Sequence, residues 1–167
     1  DSIIGVRQSE CGFDPWIRDD GLWAEGPKGF YDGKRSPYNE YLKSKGYPGE
    51  NPWAEFANAG IHEGNLASGW FMEHANKPAN IREEDSETPW LTDEAINFID
   101  AQSDDPWLCH LSYIKPHWPY IVPAPYHDMY GSEHVVPAIK SPIERQAPHP
   151  VYDAFMNNQV GRTFARD

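Results

Sequence analysis

An α/β fold with few strands, several helices and long loops is predicted by three features of this 167-residue chain. Residues 88–102 carry an amphipathic helical pattern, and a Ser-Asp-Asp-Pro break separates them from the apolar run 107–114. A helix that feeds a short buried strand is one half of an αβ unit in a parallel sheet. Residues 2–6 (Ser-Ile-Ile-Gly-Val) form another apolar, β-branched run, read as a buried strand. Finally, 16 Pro and 13 Gly punctuate the rest with irregular connections. The length suits a single domain over residues 1–167.

The elements follow in order. Residues 8–35 are rich in Gly, Asp and Trp without a period and read as loop. Ser36-Pro37 opens a helix: Ser36 is a capping type, and Pro37 fits the first helical position, where a missing N–H is harmless. Tyr38, Tyr41 and Leu42 share one face and Gly46 supplies the stop. Residues 47–69 read mostly as loop. In the helix 88–102, Thr92 is the expected N-cap, Asp93 and Glu94 suit the dipole, and Ala95, Ile96, Phe98 and Ile99 form the apolar stripe. The strand 107–114 ends at Lys115-Pro116-His117, because Pro116 cannot donate to a ladder. Pro123 and Pro125 stiffen an extended loop, residues 126–130 read as one helical turn, and 151–158 as a short helix.

Composition narrows the function classes. The net charge of -12 repels a phosphate backbone, so nucleic-acid binding is not expected. No run approaches the roughly 18 apolar residues of a membrane span, and mean hydropathy is -0.74. Yet 7 Trp, 9 Tyr and 7 Phe are too many aromatics for a disordered acidic chain; Trp16, Trp23, Trp53 and Trp70 read as packing for loops. The two cysteines, Cys11 and Cys109, form no CxxC and read as reduced thiols of a cytoplasmic protein, with one disulfide between them as the alternative.

Candidate chemistry concentrates at Lys115 and His117. Ligands of open α/β sheets gather beyond the carboxyl ends of strands, and a lysine and a histidine two residues apart there can face one anionic group. Lysine brings a fixed charge; histidine donates a hydrogen bond or shuttles a proton. A structural turn is the competing reading. The seven histidines (His62, His74, His110, His117, His127, His134 and His149) form no HxH or HExxH pair, so no metal centre is expected from them. His110 reads as a core histidine. The acidic pairs and triplet Asp19-Asp20, Glu83-Glu84-Asp85 and Asp104-Asp105 read as solvated turns or caps. There is no GxSxG, P-loop or GxGxxG after a strand.

The run WLCHLSYIKPHWPYIVPAPYHDMY (107–130) resembles the histidine-bearing segment of phosphonate monoester hydrolases, in the sulfatase branch of the alkaline phosphatase superfamily. EYLKSKGYPGENPWAEFAN (40–58), SETPWLTDEAINFI (86–99) and HPVYDAFMNNQVGRTFARD (149–167) are similar to the same enzymes in the same order. The resemblance implies part of an alkaline-phosphatase-like sandwich on a large sheet, and hydrolysis of phosphonate, phosphate or sulfate esters, hence a small anionic ester as substrate. It also implies a formylglycine nucleophile made from a C/S-x-P-x-R motif and a divalent metal ion (Mn, Ca, Zn or Fe). His117 matches the histidine that meets the substrate anion or leaving-group oxygen, and Lys115 matches its neighbour, so the catalytic candidates are His117 and Lys115. Oligomers are common among such enzymes, and exposed aromatic loops would suit a homo-oligomer.

The sequence also departs from that pattern. Neither Cys11 nor Cys109 stands in a C-x-P-x-R context, and no Asp-His-Gly metal run occurs. Arg7 stands where the relatives place Tyr and Thr toward the site and is an alternative anion contact. The chain is therefore expected to be an internal segment of a sulfatase-type catalytic domain, binding no metal or formylglycine by itself. The alternative is a non-catalytic folded module for packing or subunit contact.

Overall fold

The computed structural model describes residues 12–19, 36–139 and 141–158. The strand expected at 2–6, Arg7 and Cys11 lie outside them. The observed architecture mixes helices with a few short strands and long connections. Helix α1 (Pro37–Ser44) starts where Ser36 and Pro37 predict: Ser36 Oγ accepts from Asn39 N at 3.2 Å. Its buried face is Tyr38, Asn39 and Leu42, and Gly46, at φ 92°, ends the turn beyond it.

The loop expected over 47–69 is instead structured. A π-helical turn (Trp53–Ala57) leads into the antiparallel hairpin β1 (Ala59–His62) and β2 (Asn65–Ser68), with Ala59 opposite Ser68 and His62 opposite Asn65. The hairpin turns on Glu63 and Gly64, both at positive φ (50° and 79°), as a twist-compatible two-residue turn requires. Strands of four residues are too short for a period to announce them.

Strand β3 (Pro78–Ala79) pairs in parallel with β4 (Val122–Pro123), so the proline-stiffened segment is bridged rather than free. Helix α2 (Glu87–Asp100) starts within one residue of the expected 88, but the cap is different. Its N-cap is Ser86, while Thr92 lies inside the helix and donates from Oγ1 to Thr88 O at 2.7 Å. Its buried residues are Glu87, Trp90 and Leu91; Ile96 and Ile99 of the expected stripe stand 48% and 45% exposed. Two short helices, α3 (Pro142–Gln146) and α4 (Pro150–Asn157), follow a 3₁₀ turn at Tyr126–Asp128.

The core gathers Tyr38, Leu42, Trp53, Ala57, Ala79, Ile81, Trp90, Leu91 and Ile121. Trp53 and Trp70 pack within it or against it, as the loop-packing role predicts. Gly69 permits a close approach: a Cβ there would lie 2.7 Å from Ile121 Cγ2 and 2.8 Å from Asn58 O. The acidic triplet is also not uniformly solvated. Asp85 is buried and accepts from Tyr41 Oη (3.1 Å), Tyr47 Oη (2.9 Å) and Arg82 Nε (2.7 Å), while Tyr38 Oη donates to its carbonyl at 2.8 Å.

Residues 107–114, expected as a strand, lie in no helix or strand and form no ladder with any described residue. A strand needs a hydrogen-bonded neighbour, and no described strand pairs with this segment, which α2 touches through side chains (Thr92 with Tyr113, Phe98 with Trp107). Its side chains are accordingly open to solvent, including Trp107, Leu108, Leu111, Tyr113 and Ile114. His110 is exposed, not a core histidine. Cys109 carries a free thiol.

Candidate functional site

The turn after residues 107–114 places its two candidate side chains differently. His117 N donates to Ile114 O at 2.8 Å and closes the turn. The peptides before Pro116 and Pro119 are both cis. From this turn Lys115 reaches inward. Its Nζ donates to Asn58 Oδ1 at 2.9 Å and to Pro119 O at 3.1 Å, and stands 3.7 Å from Glu87 Oε2. An ammonium has three donors, so these contacts occupy it while they last.

Glu87 lies in the first turn of α2 and is 5% exposed. Its other oxygen, Oε1, accepts from Trp53 Nε1 at 2.6 Å. Asn58, itself 1% exposed, anchors to Trp53 O through Nδ2 at 3.3 Å. Burial pushes the Glu87 carboxyl up and the Lys115 ammonium down; in each case attraction to the other and shared hydrogen bonds offset part of the shift. Asp19 adds further negative charge near Lys115.

His117 faces outward and is exposed. Its Nδ1 lies 2.7 Å from Trp118 O. A carbonyl only accepts, so Nδ1 carries a proton, and Nε2 is the atom left for a ligand. The ring of Trp118 meets Trp70 edge-on, centroids 4.4 Å apart, and Trp70 lies 6.2 Å from Trp53. Aromatic edge-to-face contacts of this kind hold a loop with little conformational freedom.

The lysine-histidine pair is thus divided between an interior ion pair and a solvent-facing imidazole. Glu87 and Asn58 were not among the residues the sequence singled out, and Trp53 only as packing for loops. Asn58 stands 57 positions from Lys115, and no local pattern encodes contacts at that separation. Among the described residues no three His, Cys, Asp or Glu side chains come together as a metal site. By themselves the described residues therefore offer no ligand set for a divalent ion. No described helix is long and apolar enough to cross a membrane.

The fold and the sequence together relate this chain to hydrolases of the alkaline phosphatase superfamily, with which it shares partial homology. No family model matches. The multifunctional alkaline phosphatase superfamily protein PehA of Trinickia caryophylli is 31% identical over 85 residues, 50% of this chain and 16% of that protein. The choline-sulfatase of Rhizobium meliloti (strain 1021) is 30% identical over 76 residues, 42% of this chain and 15% of that protein. The phosphonate monoester hydrolase SpPMH from Silicibacter pomeroyi superposes with a TM-score of 0.58 at 27% identity, covering 85% of this chain and 29% of that one. The chain spans less than a third of the length of each.

Proposed function

We propose that this chain is part of a metal-dependent hydrolase of phosphonate, phosphate or sulfate esters, and that it supplies the histidine side of the substrate pocket. The likeness to a phosphonate monoester hydrolase over 85% of the chain carries the reading. In it, Nε2 of His117 meets the substrate anion or the leaving-group oxygen. When the ester bond breaks, a protonated imidazole can pass its Nε2 proton to the departing oxygen, or donate a hydrogen bond to the anion. Lys115, paired with Glu87, braces the turn from behind. The nucleophile, a formylglycine, and the divalent metal ion would come from residues other than those described, and the substrate is a small anionic ester.

A second reading is favoured by the exposed apolar surface of residues 107–114 together with Ile96 and Ile99 of α2. Surfaces of this kind mark protein contacts, and a homo-oligomer or a non-catalytic packing module would cover it. The readings separate on the full-length natural protein, assayed with nitrophenyl phosphate, phosphonate and sulfate esters. Turnover with metal supports the hydrolase and ranks its substrates. No turnover of any ester, with metal supplied, overturns it in favour of the packing module.

A further inference from the structure

We infer that Glu87 is a positioning residue for His117, acting through two separate arms of one buried carboxylate. The first arm runs from Oε2 to Lys115 Nζ (3.7 Å), which in turn holds Pro119 O at 3.1 Å, on the far side of His117 in the chain. The second runs from Oε1 to the indole N–H of Trp53 (2.6 Å), and on through the tilted contact of Trp53 with Trp70 and the edge-on contact of Trp70 with Trp118. Trp118 supplies the carbonyl that His117 Nδ1 addresses at 2.7 Å. Both arms therefore end on the residues that follow His117, and together they fix where its acceptor carbonyl sits.

The chemistry favours a positional role over one in stability. A buried ion pair is costly to desolvate, and an apolar pair of similar volume is often as stable or more so. Glu87 and Lys115 are 5% and 17% exposed at the side chain, so that cost applies here. What an apolar pair could not do is hold Pro119 O and Asn58 Oδ1 at a fixed point, since each needs a donor. Orientation of an imidazole through the hydrogen bond of its other nitrogen is a general way to set which nitrogen faces a ligand. The functional meaning rests on the reading of His117 as substrate-facing; the geometry does not.

The test reads the ring directly. Nitrogen-15 correlation spectra of the 167-residue chain, recorded where imidazole is neutral, report the tautomer of His117, with His117→Ala identifying the signal. The expected wild-type signal is a dominant Nδ1–H tautomer. Glu87→Gln keeps the volume and the acceptor for Trp53 but loses the charge; Glu87→Gln/Lys115→Met also removes the lysine left unpaired. Two variants keep the test alive if one does not fold. The expected result is a shift of His117 to a mainly Nε2–H population, including in a double variant whose thermal midpoint has recovered. A natively folded variant that keeps the Nδ1–H tautomer overturns the inference. Ester turnover by the full-length protein is a separate readout. Tautomer loss with no wild-type turnover leaves the positioning role standing and sinks the hydrolase reading; wild-type turnover with an unmoved tautomer does the reverse.

Discussion

Lys115 Nζ stands 3.7 Å from Glu87 Oε2 in the interior of the fold, so the lysine placed by sequence at the mouth of a site serves as an internal tie. The pair joins the first turn of α2 to the turn that carries His117. Removing one partner leaves the other buried and uncompensated.

For that reason Lys115→Ala is expected to destabilise the chain by about 3–5 kcal/mol. Denaturant unfolding followed by tryptophan fluorescence measures it. Glu87→Gln/Lys115→Met is expected to recover most of the loss, because no buried charge remains. A double variant no more stable than Lys115→Ala would show that the pair is not the source of the cost.

His117→Ala in the full-length protein is expected to lower kcat by roughly 10²–10⁴-fold, the range of a proton-transferring or anion-binding group. Steady-state kinetics on the best nitrophenyl ester check this. An unchanged kcat would remove His117 from the site.

Asp85 makes the fold acid-sensitive. Burial alone would raise its carboxyl, but hydrogen bonds from Tyr47, Arg82 and Tyr41, with the charge of Arg82, outweigh it and hold the group below the ordinary value of 3.8. A depressed folded value contributes stability that is complete above the unfolded value and is lost as pH falls through the folded one. The thermal midpoint is therefore expected to be insensitive to this group above about pH 5 and to decline below about pH 4. Asp85→Asn should flatten that decline while costing about 1–3 kcal/mol at neutral pH. The same carboxylate, after burial, raises Tyr41, to about 12, so phenolate absorbance should leave that ring unionised well past pH 10. An acid limb unchanged in Asp85→Asn would assign it to other carboxylates.

Gly69→Ala is expected to destabilise by about 1–3 kcal/mol, the usual cost of overpacking. The new methyl would meet Ile121 Cγ2 at 2.7 Å and Asn58 O at 2.8 Å. It would also strain Gly69 N → Asn58 O, now 2.8 Å. Circular dichroism melts report the change; a neutral result would mean that the segment carrying Ile121 yields without loss.

Some of this architecture is written in short stretches of sequence, and some is not. The Ser36-Pro37 start of α1 was legible because a cap and an N1 proline act within one turn. Helix α2 was legible to within one residue at its start, but not its cap: Thr92 is as good a capping type as Ser86, yet it lies inside the helix. The hairpin at Glu63-Gly64 escaped because its strands hold four residues each. The apolar run 107–114 has the composition of a strand but is not one among the described residues; pairing is a property of a neighbour, which composition does not contain.

By itself the sequence determined the local elements that caps, prolines and glycines encode, the acidic character that disfavours a phosphate backbone, and the Lys115-Pro116-His117 turn with its family resemblance. Only the tertiary structure decided that Lys115 turns inward to Glu87 and Asn58 while His117 stays in solvent, and that Asp85 is a buried acceptor for Tyr41, Tyr47 and Arg82 rather than a solvated turn residue. The physical reason is the same in each case. A charged side chain looks solvent-facing from its own chemistry, and whether it can be buried depends on partners supplied from distant parts of the chain, which must together replace the water it loses.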